Sequence, residues 1–578
     1  MTSVVDADSL LTIDIGSVNT RAILFDIVDG QYHFLAAGSA PSTWGAPFFD
    51  VGEGVHLAIS RLQEITSRPL LGAENRLQIP TQPDGSGVDR LVVTLSAGKE
   101  VQMLVMGLLS EVSLESAQRL AASTYGKVVE AVGLNDMRRQ DTQLDAVLQS
   151  GSEIVILAGG TEHGATRSVI KMVELLLLVL RALPSEKRPR VLYCGNAALA
   201  KKIQEVVGKY TEVQTAPNIR PGIDVEDLAP AAETLNRMII SLRGQQMSGL
   251  DLLEQISAAP VTLSAHAMGR LIRFLSELYD ASKGVLGVDL GASSTTLAAG
   301  VGGKLHLNVF HPLGLGAGME GLLKQIRPAD LTRWLPMDIS EEEVMDTLWQ
   351  KTLYPAMLPL TGTTLAIELA AAREILRLAT ARMIERYPTL NLSFEPIFAG
   401  GAVFAQAASP AQALLALLDG LQPVGVTTFF IDPYGLMSAL GAVAPANSIL
   451  PVQILESGAF QNLGAVISPV SNARPGVPVL RVRLVFEDGN ETRLEVKQGS
   501  IVPLPVRHGQ AARIYLEGLR GTEIDPRRRT AGGFRIIGGV CGAWIDARGR
   551  PLVLSGDPGK RRETLLRWSQ AVETRRPA

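Results

Sequence analysis

Residues Leu10–Asp26, LLTIDIGSVNTRAILFD, hold two apolar strands on either side of a short polar turn. The first strand covers Leu10–Ile15, the turn carries Gly16, Ser17 and Asn19, and the second strand is centred on Ala22–Phe25. Asp14 stands where the first strand runs out. A carboxylate, a glycine and hydroxyls in that order suit a phosphate hairpin. Bare backbone N–H groups face the phosphate, and the carboxylate faces a hydrated Mg²⁺. Strand–glycine–strand hairpins are common, so one copy does not specify a ligand. The constraint comes from repetition. Val285–Leu297, VLGVDLGASSTTL, has the same order, with Asp289, Gly291 and a Ser/Thr run between apolar strands. Two such hairpins about half a chain apart suggest two related lobes gripping one ligand.

At 578 residues the chain outgrows a single core, and its length predicts roughly three to five domains. A content of 46% hydrophobic and 19% charged residues is that of a globular chain, not a disordered one. A net charge of −4 argues against a general nucleic-acid binder. Cys194 and Cys541 are the two cysteines. They provide neither a disulfide framework nor a zinc site, which fits a reducing cytoplasm. The opening MTSVVDADSL lacks the basic and then apolar regions of a signal peptide. Val173–Leu183 is too short to span a bilayer and carries Glu174 and Arg181, so it predicts a buried helix.

Taken in order, Tyr32–Gly38 follows as a third strand and Val55–Thr66 as an amphipathic helix. From Leu91 to about Gln214 short apolar runs alternate with helical stretches, the pattern of a doubly wound parallel sheet. Its strands are expected at Leu91–Leu95, Lys127–Val132, Glu153–Leu157, Val191–Tyr193 and Glu212–Gln214. Three strands end in small or polar clusters, Ser96–Gly98, Ala158–His163 and Cys194–Asn196. These are either a second ligand site or plain strand-to-helix turns. Within this alternating stretch no GxGxxG fingerprint is present, which argues against NAD. A helical stretch, Asp227 to about Asp280, leads back to the second hairpin. Glycines 314, 316 and 318 then either admit a ligand to the backbone or make a flexible turn. Leu365–Tyr387 predicts a long helix, Pro396–Ala399 a strand ending in Gly400-Gly401, and Leu436–Val443 a helix whose Ala439, Gly441 and Ala442 permit close packing. After Pro445 the signals turn to β, with Leu480–Phe486 and Thr492–Val496 as a hairpin. Arg520–Ala578 carries 12 Arg and 1 Lys against 6 acids, a local charge of +7. That is either a docking face for an acidic partner or nucleic acid, or a solvated surface with a short terminal helix.

Four glycine-rich stretches thus stand in order: the Asp14 hairpin, the Asp289 hairpin, Gly400-Gly401 and the start of the Tyr434–Ala442 helix. The set is similar to the phosphate-1, phosphate-2, adenosine and connecting motifs of the actin-like ATPase superfamily of sugar kinases, heat-shock chaperones and actin. The segments LTIDIGSVNTRAI, LSAGKEVQM, EIVILAGGTEHGAT, VLYCGNAALA, GVDLGASSTT, PLGLGAGMEG, FAGGAVFAQ and DPYGLMSALGAVA resemble one branch of it, the glutamate mutase accessory family (glutamate mutase L). That family accompanies adenosylcobalamin-dependent mutases.

The resemblance implies an α/β fold. Two actin-like (ribonuclease H-like) lobes, 1–90 and 284–445, would enclose an inserted doubly wound Rossmann-like domain, 91–225, and a helical connector, 226–283. A β-rich, Arg-rich C-terminal domain, 446–578, would follow. It further implies ATP and Mg²⁺ as cofactors, a possible ATPase, and a chaperone or reactivation role toward a mutase partner. Asp14 and Asp289 become the metal-side and catalytic carboxylates, with Asp289 placed to orient water. Gly16, Ser17, Asn19, Thr20, Gly291, Ala292, Ser293 and Ser294 would contact phosphates, and Gly400 and Gly401 the adenosine. The second hairpin departs from the family pattern, because the acidic residue expected near Thr296 is absent. A non-catalytic actin-like scaffold is therefore the alternative. A small-molecule kinase is the weaker third reading, since no base for a hydroxyl acceptor stands between the hairpins.

Overall fold

Each Asp-x-Gly hairpin opens a sheet, and the two sheets share one strand plan. The computed structural model describes residues 8–280, 282–525 and 533–573. In the first sheet β1 (Leu10–Ile15), β2 (Asn19–Val28) and β3 (Gln31–Pro41) form an antiparallel meander, and β4 (Arg90–Leu95) lies on the other side of β1. In the second, β5 (Val285–Leu290), β6 (Thr295–Val301) and β7 (Lys304–Phe310) repeat the meander. β8 (Ile397–Gly400) pairs in parallel with β5, and β9 (Gly425–Asp432) in parallel with β8. Parallel neighbours need crossovers, and the helices Gly362–Arg386 and Pro410–Leu421 provide them. β1 reads as a near-continuous apolar run because Leu10, Leu11, Ile13 and Ile15 are all buried.

The chain divides into two compact units. One comprises Met1–Pro41, Val55–Val92 and Ala267–Ala578, and the other Ser42–Gly54 and Val93–His266. Both hairpins belong to the first unit. The second unit holds a five-stranded, all-parallel sheet in the order Gly126–Gly133, Val101–Gly107, Ile154–Leu157, Arg190–Tyr193, Val213–Thr215. This is the doubly wound sheet expected from the alternation, with one correction. Leu91–Leu95 does not belong to it; that segment is β4 of the first lobe, and Val101–Gly107 is the inserted sheet's internal strand. Both are short, mostly buried and mostly apolar runs five residues apart, and periodicity cannot assign such runs to a sheet.

The residues after Pro445 begin with a helix, Ile449–Glu456, and then become β as expected. β10 (Gln461–Ser468), β11 (Pro478–Phe486), β12 (Glu491–Lys497), β13 (Ile501–Leu504), β14 (Ala511–Gly518), β15 (Phe534–Ile537) and β16 (Ala543–Asp546) follow in turn. Three of them extend the lobe's own sheet to eight strands, ordered β7-β6-β5-β8-β9-β10-β16-β13. The other four form a sheet β12-β11-β14-β15, whose buried face (Val482, Leu484, Ile514, Ile536) packs with Ile467 of β10 and Ile545 of β16. The terminal helix spans Pro558–Glu573. Of the Arg-rich run, Arg527–Arg529 and Arg575–Arg576 lie outside the described residues, as does the opening segment before Asp8. Among the described residues no helix is long and apolar enough to cross a membrane.

A buried ion network joins β16 to the lobe. Arg548 is fully buried, donating to Asp546 at 2.8 Å and to Asp419 at 2.7 Å, while Arg373 donates to Asp419 at 2.7 Å and Arg550 to Asp546 at 2.8 Å. Burial pushes the Asp546 carboxyl up, but Arg548 and Arg550 outweigh it and hold the group well below the usual carboxylate range. Removing one member of such a pair strands a buried charge. Arg548→Met is therefore expected to destabilise the first unit by about 3–5 kcal/mol in urea unfolding. A loss below about 1 kcal/mol would mean that the network is not closed in solution.

Candidate functional site

The two hairpins match position for position. In the first, Asp14 stands opposite Arg21 and Ile15 opposite Thr20, and the Gly16 N–H donates to the Asn19 carbonyl at 3.0 Å. In the second, Asp289 stands opposite Thr296 and Leu290 opposite Thr295, and the Gly291 N–H donates to the Ser294 carbonyl at 3.0 Å. The repeat read from sequence is thus a repeat of register. Gly16, Ser17, Gly291, Ala292, Ser293 and Ser294 are partly buried turn residues and Asn19 is exposed. Thr20 is buried, as is its counterpart Thr295, whose hydroxyl donates to the Leu313 carbonyl at 2.7 Å. Thr296, where an acid was expected, is buried too.

Glycines 314, 316 and 318 pack beneath the second hairpin. The Leu315 N–H donates to the Gly291 carbonyl at 2.9 Å and the Gly318 N–H to the Ala292 carbonyl at 3.0 Å. A Cβ on Gly314 would lie 2.5 Å from the Ala292 carbonyl oxygen, and one on Gly318 2.4 Å from that of Ser293. Neither alternative held open by the sequence accounts for them as well as this close backbone packing does.

Parallel pairing brings the chain's other glycine step to the same place. Asp289 of β5 stands beside Gly400 of β8, which stands beside Asp432 of β9. A Cβ on Gly400 would lie 3.3 Å from the Asp289 carboxylate, and Gly401, at φ +126°, leaves no room for one against the Leu290 carbonyl at 2.6 Å.

Asp432 is a site residue that sequence reading missed. Its carboxylate accepts from the N–H groups of Tyr434, Gly435, Leu436 and Met437 at 2.8–3.2 Å, capping the helix Leu436–Val443. The local signal was weak, because Asp432 stands four residues before the helix and the N-cap position itself is Gly435. Arg21 was missed as well. Its Nη1 lies 3.9 Å from the Asp14 carboxylate and 3.1 Å from where a Cβ on Gly435 would stand.

Asp14, Asp289 and Asp432 therefore converge around one guanidinium. Burial pushes the Asp289 carboxyl up to about 6, the charges of Asp14 and Asp432 add to the rise, and Arg21 opposes it. Burial raises Asp432 too, against the four N–H groups that favour its anion. A carboxylate displaced toward neutrality by burial and like charges is a functional-site signature. Among the described residues no cluster of three or more His, Cys, Asp or Glu side chains could cage a metal. Mg²⁺ does not require one, since it keeps several waters and takes one or two carboxylates plus phosphate oxygens. Asp14 and Asp289 fit that donor set, and a cation there would relieve the crowding of negative charge.

Two α/β lobes of one strand plan, each contributing an Asp-x-Gly hairpin to a shared acidic centre, follow the plan of the actin-like α/β fold. Within that class the chain belongs to the MutL protein family, whose model matches residues 10–458. No curated protein matches the chain. Among solved structures it is similar to nucleotide-free acetone carboxylase, with 13% identity over 86% of this chain and 81% of that one and a TM-score of 0.34. It is also similar to a nucleotide-free diol dehydratase-reactivating factor (9%, 78% and 100%, TM-score 0.30). A third is xylulose kinase from Bifidobacterium adolescentis (11%, 79% and 96%, TM-score 0.29).

The Asp289 environment has a pH signature in the ligand-free protein. A carboxyl raised in the folded state opposes folding only when ionised. The handicap is absent below about pH 4, where the unfolded group titrates, and complete above about pH 6, where the folded one does. Asp289→Asn is thus expected to stabilise the ligand-free protein by about 1–3 kcal/mol at pH 8 and by nothing near pH 4. Urea unfolding at both pH values checks this, and a difference that ignores pH would contradict it.

Proposed function

We propose that the chain binds Mg-ATP between its two hairpins and uses it in an accessory cycle on a protein partner. The partner suggested by the resemblance to glutamate mutase L is an adenosylcobalamin-dependent mutase, and the role is that of a chaperone or reactivation factor. The observation that carries the reading is the register-matched pair of hairpins whose carboxylates, Asp14 and Asp289, meet beside Arg21.

Each residue then has a task its chemistry suits. The turns Gly16–Asn19 and Gly291–Ser294 offer backbone N–H groups and hydroxyls to phosphate oxygens. Asp14 and Asp289 face the cation, and Mg²⁺, when bound, neutralises phosphate charge. Arg21 stands beside the Asp14 carboxylate and provides a fork-shaped donor for a terminal phosphate. Asp289, with its carboxyl near 6, can hold a water by hydrogen bond and take its proton close to neutral pH. Gly400 and Gly401 lie beside Asp289, where adenosine would approach. The buried free thiols of Cys194 and Cys541 suit a cytoplasmic setting.

One observation favours the scaffold alternative. Thr296 is buried directly opposite Asp289, so the second hairpin lacks the acid expected there. Binding and turnover separate the two readings. Calorimetry with ATP and Mg²⁺ is expected to give saturable binding that Asp14→Ala and Asp289→Ala each weaken by at least about 1.5–3 kcal/mol, tenfold or more. Wild-type protein that ignores the nucleotide overturns the proposal. Phosphate release that Asp289→Asn abolishes marks an ATPase, and tight binding with no release selects the scaffold.

A further inference from the structure

The sheet β12-β11-β14-β15 buries one face and turns the other to solvent. A half-buried antiparallel sheet needs a polar outer face, but not any particular pattern of charge. Here the register sets Arg483 directly opposite both Arg493 and Tyr515, and Arg513 opposite Arg535. Like charges in facing positions cost stability. The guanidinium of Arg483 lies 4.0 Å from the centroid of the Tyr515 ring and that of Arg513 6.0 Å from it. A single carboxylate, Glu491, serves both Arg483 at 3.4 Å and Arg493 at 2.5 Å. One strand position further along, Arg481 is flanked by Glu495 and Glu517. Arg481, Arg483, Arg493, Glu495, Tyr515 and Glu517 line an open trough of about 620 Å³, and Arg513 and Arg535 lie on the same face beside it. Residues 446–578 as a whole carry 20 Lys and Arg against 12 Asp and Glu, in a chain whose net charge is −4.

We propose that this outer face is a docking surface for a carboxylate-rich segment of a partner protein. Arginine forks pair with carboxylates bidentately, and the Tyr515 ring packs against the Arg483 guanidinium. Charge is uneven along the trough, with Arg483 and Arg493 at one end and Arg481 outnumbered by Glu495 and Glu517 at the other. A segment with an acidic run followed by a basic residue is complementary along that whole length. Nucleic acid fits less well. The glutamates repel a phosphate backbone, and the aromatic ring that could stack a base is already covered by Arg483. The surface goes beyond the proposed nucleotide cycle and does not depend on it.

The test uses the full chain and a fluorescein-labelled peptide of alternating Glu and Ala ending in two lysines, with a uridine oligonucleotide as the second probe, read by anisotropy. The peptide is expected to bind and to weaken as salt rises. The triple variant Arg483→Gln, Arg493→Gln, Arg513→Gln should lose at least tenfold. A control triple, Arg61→Gln, Arg76→Gln, Arg327→Gln, removes the same charge from exposed arginines outside the sheet and should stay within twofold. Should the sheet triple not fold, Arg493→Gln alone, at a side chain 76% exposed, is expected to lose at least threefold. ATP binding is unchanged in every sheet variant, which separates failure here from failure of the nucleotide reading. Equal losses in both triples, no peptide binding, or oligonucleotide binding in place of peptide binding each overturn the proposal.

Discussion

Two carboxylates set side by side by strand pairing, Asp289 and Asp432, with Asp14 of the other sheet and the Arg21 guanidinium beside them, govern the design of the first unit. Asp289 and Asp432 are held on adjacent sides of Gly400 by backbone register, so neither can move away from the other without breaking the sheet. Four N–H groups at the start of the helix favour the Asp432 anion and Arg21 stands beside Asp14, while burial and the charges of Asp14 and Asp432 push the Asp289 carboxyl up to about 6. In the proposed Mg-ATP complex a cation would bring positive charge to the carboxylates, and phosphates negative charge to the helix start, the turns and Arg21.

Space around this centre is regulated by missing side chains. Gly400 leaves room for the Asp289 carboxylate, Gly435 for Arg21, and Gly314 and Gly318 for the backbone of the second hairpin. In each case the glycine serves close approach, and only Gly401 and Gly435 among the residues nearest the acids also need a positive φ. Glycine richness in this chain therefore marks tight packing around a polar centre more than looseness.

How much of this was legible in the sequence depended on whether the cue was local. β1 and the helix Leu436–Val443 have the bounds expected, because Gly16 ends one and the turn at Pro433–Gly435 starts the other. The hairpin pair was legible because each repeats a local order of residues. Arg21 was not, since a single charge in a strand looks like ordinary surface until the partner strands are in place. The distinction between Leu91–Leu95 and Val101–Gly107 lay beyond reach for a related reason: two buried strands look alike, and only their neighbours differ. The parallel pairing of Ala543–Ile545 with Ala465–Ile467 is decided by contacts nearly eighty residues apart, about which local pattern is silent.

The insertion of β16 between β10 and β13 also separates two notions of a domain. The span shared with the MutL family stops at residue 458, just short of β10. The sheet does not stop there. A chain ended at that boundary would lose three of eight strands, expose β9 along its whole hydrogen-bonding edge, and strand Asp419 without Arg548. The inherited unit and the folding unit of this protein are of different lengths, and only the longer one is a sensible object to express.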